Sequence, residues 1–199
     1  MQLRYSEFLE RSFFEKNELI ANSLGRLVDD PPPGGIAKLP SPPFLMIDRI
    51  TSITRQNRSG KLVAEQDVNF DAWFFQCHFV GDPVQPGCLG VDAVWQLLGF
   101  YCAASGAEGT GRALGAKEIE FTGQIRPFNK VIRYELDIRR FSILKETGSA
   151  IAIADGLVFV DGQLIYSVKD AKVGIFKEIE YKDYPNPNSR FAVGGLIQK

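Results

Sequence analysis

The chain has 199 residues, 45% hydrophobic and 24% charged, enough for one packed domain of ordinary size and inconsistent with a disordered chain or a collagen-like repeat. Lys and Arg number 23 against 24 Asp and Glu, a formal net charge of −1, so no chain-wide field favours nucleic acid or a membrane surface and a charged partner must be met by a local patch. Three Cys cannot all pair within the chain and point to a reducing compartment, and a single histidine, His78, excludes any site that needs two imidazoles from one chain.

Residues 1–22 carry charges throughout and lack the apolar run of a secretory leader, so the cytoplasm is the expected compartment. Over residues 5–24, Phe8, Leu9, Phe13, Phe14, Leu19 and Ile20 follow Ser6 as N-cap and predict one helix or two short ones. Asp29-Asp30-Pro31-Pro32-Pro33-Gly34-Gly35 breaks that pattern, and the Pro/Gly connector reaching Pro43 reads as a segment wrapped over the surface. Residues 1–44 therefore form a helical segment with its connector, 45–176 the main domain, and 177–199 a polar, Pro-rich tail expected to be loosely ordered. Leu45, Ile47, Ile50 and Ile53 begin a β pattern that resumes over residues 61–69 after the turn-like Gln56-Asn57-Arg58-Ser59-Gly60, giving a first hairpin.

An aromatic stretch, Trp73-Phe74-Phe75-Gln76-Cys77-His78-Phe79-Val80, and a Gly/Pro loop lead into residues 88–104, which are apolar nearly all the way round. Such a helix is enclosed by other structure. Asp92 and Gln96 lie within it, and its glycine-rich flanks stop it short of the roughly 20 apolar residues of a membrane span. Residues 109–115 are glycine-rich outside any strand-turn-helix context and read as a bend, not a phosphate loop. Residues 119–125, 131–141, 150–160 and 164–176 alternate in part as strands, with Asp161-Gly162 as a two-residue hairpin turn. A helix, a hairpin, a buried helix and four strands predict an α+β fold in which a curved antiparallel sheet wraps one long central helix.

Three features could carry chemistry. His78 reads as a partly buried residue satisfied by a backbone carbonyl, or as a base. Asp92 reads as a first-turn carboxylate favoured by the helix dipole. With Val91, Ala93, Val94 and Trp95 around it and no evident wet face, it reads equally as a buried acid that must be protonated or bonded and so can donate a proton. Pro86-Gly87 either merely starts a helix or presents free N–H groups to a carbonyl oxygen gaining charge. A base, an acid and an oxyanion site together suit removal of a proton beside a carbonyl with loss of a β leaving group. Cys77, Cys88, Cys102 and His78 lack C-x-x-C spacing, so no metal is expected, and Cys88 reads as small-residue packing before it reads as a nucleophile. Arg139, Arg140 and Lys145 form a basic cluster of the kind that ordinarily ends a solvated strand.

The run Trp73-Phe74-Phe75-Gln76-Cys77-His78-Phe79-Val80-Gly81-Asp82-Pro83-Val84-Gln85-Pro86-Gly87-Cys88-Leu89-Gly90-Val91-Asp92-Ala93-Val94-Trp95-Gln96-Leu97 strongly resembles the active-site stretch of the bacterial 3-hydroxyacyl-(acyl-carrier-protein) dehydratase/isomerases, the 3-hydroxydecanoyl-ACP dehydratase family. The likeness continues through Gly111-Arg112-Ala113-Leu114-Gly115, Phe121-Thr122-Gly123-Gln124, Ala154-Asp155-Gly156, Val160-Asp161-Gly162 and Lys172-Val173-Gly174. The resemblance implies a hot-dog fold, no cofactor, and a homodimer whose sites each take His78 from one subunit and Asp92 from the other. By the same likeness the Val84 carbonyl orients the imidazole, and the Gly87 N–H, with Cys88 beside it, binds the substrate thioester carbonyl. His78 would remove the C2 proton of a 3-hydroxyacyl thioester while Asp92 protonates the departing hydroxyl, giving the trans-2-enoyl product of type II fatty acid biosynthesis. Relatives that only dehydrate typically carry Glu at the acid position, so Asp92 favours the branch that also isomerises trans-2 to cis-3. The implied partner is an acyl carrier protein bearing the 3-hydroxyacyl group on phosphopantetheine, docked on Arg139, Arg140 and Lys172. Residues 31–43, residues 142–149 and the tail are longer than the family's usual pattern. A hot-dog acyl thioesterase using a water nucleophile and a non-catalytic acyl-binding hot-dog protein are the two other readings.

Overall fold

Ile132, Tyr134, Leu136 and Ile138 are buried while Arg133 and Asp137 between them are exposed, the period-2 signature of a strand with one face on a core. The computed structural model describes residues 2–177, and there this strand, β5 (Val131–Ile143), lies mid-sheet. The predicted loose tail lies, from residue 178 on, outside the described residues. The remaining strands are β1 (Arg49–Gln56), β2 (Ser59–Asp67), β3 (Thr110–Gly115), β4 (Glu118–Phe121), β6 (Ala150–Val160) and β7 (Gln163–Phe176). All pair antiparallel in one sheet ordered β1-β2-β5-β6-β7-β3. The far edge of β7 is shared, because β4 pairs with its residues 166–169 and β3 with residues 172–176. Asp161 and Gly162 both have positive φ, as the predicted two-residue β6–β7 turn requires.

The long helix α3 (Gly87–Ala104) packs on β5, β6 and β7. Room for it comes from small side chains on the inner face of β6: Ala150, Ala152, Ala154 and Gly156 are all buried, and a Cβ at Gly156 would stand 3.0 Å from Val94 Cγ1. A row of larger residues there would push the helix off the sheet. Two short N-terminal helices, α1 (Tyr5–Glu10) and α2 (Lys16–Ser23), precede the sheet. Phe8 from α1 and Phe14 meet Phe100 of α3 edge-on at 5.8 and 4.9 Å and so close one end of the core. The result is the α+β hot-dog architecture expected from the sequence. Among the described residues one helix, α3, is long and apolar enough to cross a membrane, and most of it is buried in this core.

Three expectations are corrected. The glycine-rich bend at 109–115 is strand β3, held by its backbone ladder from Thr110–Phe176 to Ala113–Val173 rather than by side-chain alternation, so five strands follow the helix instead of four. Helix α1 starts behind Arg4, not Ser6, with the Glu7 carboxylate accepting the Arg4 N–H at 2.7 Å. Helix α3 is not covered all round: Cys88, Asp92, Trp95 and Gly99 are less buried than their neighbours. Their i, i+4, i+7, i+11 spacing places them on one stripe of the helix.

Candidate active site

A single 3-10 turn, Trp73–Gln76, precedes the histidine, anchored by the buried Phe74 and Phe75, whose rings meet edge-on at 4.7 Å. The chain then folds back on itself. His78 N–H donates to Phe74 O (2.8 Å), Phe79 and Asp82 exchange N–H···O bonds of 3.0 Å, and Val84 N–H donates to His78 O at 2.8 Å. The His78–Phe79 peptide is cis. Arg126 Nη1 reaches Asp82 Oδ1 at 2.5 Å and ties this loop to the segment after β4. His78 Nδ1 stands 2.9 Å from the Val84 carbonyl oxygen. A carbonyl only accepts, so Nδ1 carries the proton and the neutral ring keeps its lone pair on Nε2.

His78 lines a cavity of about 800 Å³ together with Val84, Gln85, Gly87, Cys88 and Trp95. Gly87 and Cys88 open α3, so their N–H groups precede the first intrahelical bonds and sit at the positive end of the helix dipole. A Cβ on Gly87 would stand 2.6 Å from Phe121 Cε1, so only glycine lets that ring close over the helix start. Phe121 in turn meets Tyr166 edge-on at 4.8 Å. Burial pushes the Tyr166 hydroxyl up to about 12, which leaves it neutral at physiological pH, a donor rather than a base. Cys88 is exposed on the cavity wall, contrary to the packing role expected of it.

Asp92 is half-buried rather than sealed in apolar surroundings, and the uncovered stripe of α3 is the reason. Its Oδ2 accepts from Gln96 Nε2 at 2.7 Å, an i, i+4 pair on one helix face. Asp92 lines a second cavity, about 360 Å³, with Lys38, Phe44, Gln96 and Arg112. Trp95 contributes to both cavities, and its Nε1 donates to Gly115 O at 3.3 Å. Within one chain, then, His78 and Asp92 stand in different cavities that border the same stripe.

The basic residues are not equivalent. Arg139 is bonded on both sides, its Nε 3.0 Å from Asp155 Oδ2 and its Nη2 on Asp170 Oδ1. Arg140 and Lys172 are exposed and lie in one cross-strand row, Arg140 opposite Ile153 and Ile153 opposite Lys172. Among the described residues no cluster of three His, Cys, Asp or Glu could hold a metal, and the cysteines are free, Cys102 buried and Cys77 and Cys88 exposed.

Sequence reasoning left Trp95, Gln96, Phe121 and Tyr166 without a role. Trp95 and Gln96 stand one helical turn beyond Asp92, a spacing that flags them once the acid is suspected. Phe121 and Tyr166 face each other only through the β4–β7 register, which no local pattern reveals.

A family model of the FabA-like domain matches residues 39–169. Among solved structures, the dehydratase heterocomplex ApeI:P from Xenorhabdus doucetiae aligns with 70% of this chain and 87% of that one at 11% identity, with a TM-score of 0.48. A hypothetical thioesterase with coenzyme A from Streptococcus pneumoniae TIGR4 aligns with 64% and 84% at 14% identity, with a TM-score of 0.43.

Proposed function

The chain belongs to the FabA-like domain family, and from that premise we propose that it is a homodimeric dehydratase of 3-hydroxyacyl thioesters carried on an acyl carrier protein, without a cofactor, in cytoplasmic type II fatty acid synthesis. One observation carries the reading: the Nδ1–Val84 bond leaves His78 Nε2 free as a base beside a cavity where the N–H groups opening α3 are unspent.

The thioester oxygen accepts the Gly87 N–H, and the positive helix end stabilises the charge that develops as the C2 proton leaves. His78 Nε2 takes that proton. The C2–H electron pair becomes the C2=C3 bond, the C3–O bond breaks, and the hydroxyl departs as water with a proton from Asp92. Imidazolium and carboxylate then return to their starting states by passing one proton through solvent. For isomerisation, His78 removes a C4 proton and C2 gains one, moving the double bond from trans-2 to cis-3. Aspartate at position 92, in place of the glutamate that the dehydrating relatives typically carry, supports this second activity.

The separation of His78 and Asp92 within a chain supports a site shared across a dimer, with Asp92 of the partner subunit facing His78. Three surfaces fit such an interface: the open stripe of α3, the outer edge of β3, and the exposed Phe79, Val80 and Phe121 around the histidine loop, Val80 being 90% exposed. Arg140 and Lys172 offer unspent positive charge to an acidic carrier protein, whereas Arg139 serves to brace Asp155 and Asp170.

Incubation with a 3-hydroxydecanoyl thioester, followed by enoyl absorbance and by chromatography of the cis-3 product, tests the proposal. Turnover by the wild type and a loss of at least about 100-fold in His78→Ala are expected. No turnover, or equal turnover by the variant, would sink the dehydratase; release of free thiol would assign a thioesterase instead. Enoyl product without the cis-3 isomer would remove the isomerase half alone.

A further inference from the structure

Helix α3 contains three glycines, Gly87, Gly90 and Gly99, and packing explains only the first two. A Cβ on Gly87 would stand 2.6 Å from Phe121 Cε1, and one on Gly90 would stand 2.7 Å from Tyr166 Cε2. Outside its own helix, a Cβ on Gly99 would meet nothing nearer than Val173 Cγ1 at 3.9 Å, an ordinary van der Waals contact. Gly99 does not have a positive φ, so its backbone does not demand glycine either. Glycine inside a helix is less stable than alanine, so position 99 gives up stability for room. That room adjoins the acid: Gly99 lies on the open stripe of α3, seven residues beyond Asp92, and lines the same cavity of about 360 Å³.

We propose that Gly99 is a specificity-determining residue, the floor of an acyl compartment beside Asp92 that sets the longest chain the protein accepts. This deepens the dehydratase reading and rests on it. In that reading the thioester is held at the Gly87 N–H in the cavity of His78, and C3 lies between imidazole and carboxyl. The chain beyond C3 therefore continues into the cavity that Asp92 lines. Apolar walls meet it there: Leu39 and Phe44 from the segment before β1, Trp95 and Phe100 from α3, and Val173 from β7. The other charged side chains of that cavity, Lys38 and Arg112, are drawn aside. Lys38 Nζ lies beside Gly25, where a Cβ would stand 2.9 Å from it, and Arg112 Nη1 turns back to donate to Gly111 O at 2.8 Å. Seven residues at a rise of about 1.5 Å each put Gly99 about 10.5 Å from Asp92 along the helix. An extended chain covers about 3.5 Å in three bonds, so about nine bonds span that distance, and a tail ending at Gly99 belongs to an acyl chain of about twelve carbons counted from the thioester.

The test measures kcat/KM for 3-hydroxyacyl-pantetheine thioesters of eight, ten, twelve and fourteen carbons in the wild type, Gly99→Ala and Gly99→Leu, with urea midpoints and native mass spectrometry of the same proteins. In the wild type kcat/KM is expected to hold through twelve carbons and to fall at least about fivefold at fourteen. A leucine reaches three bonds into the compartment, so Gly99→Leu is expected to lower the ratio of twelve-carbon to eight-carbon kcat/KM at least about tenfold, with the assembly state unchanged. Gly99→Ala is expected to lower the same ratio about twofold and to raise the urea midpoint, and it suffices alone if the Leu variant does not fold or assemble. A length profile unmoved in both variants, or losses equal at every chain length, would overturn the proposal. So would a lower midpoint or broken assembly in Gly99→Ala, because the glycine would then serve packing. Calorimetric binding of octanoyl-pantetheine and dodecanoyl-pantetheine, which lack the 3-hydroxyl and do not react, separates the two readings. A selective loss of dodecanoyl binding in Gly99→Leu, beside a wild type without turnover, would remove the dehydratase reading and leave the acyl compartment standing. Turnover with a length profile that Gly99→Leu leaves unmoved would do the reverse.

Discussion

Cys88 and Cys102 sit on one helix and meet opposite fates. Cys88 opens α3 on a cavity wall, whereas Cys102 is enclosed by the sheet and burial pushes its thiol up to about 12. Iodoacetamide near neutral pH is therefore expected to modify Cys77 and Cys88 and to spare Cys102 until the protein unfolds, as mass mapping of the labelled peptides would read. The same thiol sets a pH window for stability. Unfolded, it titrates near its ordinary 9.0; folded, near 12. Below pH 9 both states keep the proton and the group is neutral to stability. Between pH 9 and about 12 only the unfolded chain releases it, so stability falls as pH rises, by up to about 1.4 kcal/mol per unit. Urea titrations at pH 8, 9 and 10 should show Cys102→Ala losing less stability than the wild type over that range, and parallel losses would refute the assignment.

At the scale of elements, the inner face of β6 decides whether α3 can lie in the curve of the sheet. Ala152→Leu adds volume at a fully buried position where the strand faces the helix, and overpacking of that kind costs about 1–3 kcal/mol. The expected result is a lower urea midpoint with an unchanged slope; an undiminished midpoint would mean that the helix is not seated on that row. The strands whose side chains alternate across the core, β5 and β6, could be read directly, as could α3 from its apolar length and the Asp161-Gly162 turn from its chemistry. Strand β3 could not, because it is an edge strand rich in glycine, held by a backbone ladder that leaves no periodic trace. The open stripe of α3 was hidden for a related reason: Trp95 and Gly99 are apolar residues left partly uncovered, and hydrophobicity alone makes them look enclosed. Of the proposed site, the His78 and Asp92 motif was visible as a family likeness. The Val84 contact entered through the same likeness, and the structure places its carbonyl 2.9 Å from His78 Nδ1. The pairing of Arg139 with Asp155 and Asp170 depends on strand register, so the sequence presented as free a charge that is already bonded.

For the whole molecule, the proposed division of the site between subunits makes a prediction that no single-chain enzyme shares. His78→Ala and Asp92→Asn should each be inactive alone, yet mixed in equal amounts and allowed to exchange subunits they should regain about a quarter of wild-type turnover. Half of the dimers are then mixed, and each mixed dimer has one intact site of two. No recovery on mixing, with exchange verified by mass spectrometry, would place both groups in one subunit. The placement of His78 and Asp92 in separate cavities also bears on descent. After a gene duplication, one copy could lose its imidazole and the other its carboxylate while the pair still held one working centre. Each chain would then become indispensable to the other without any gain in activity, and a symmetric enzyme would have drifted into an obligate partnership of two unlike subunits.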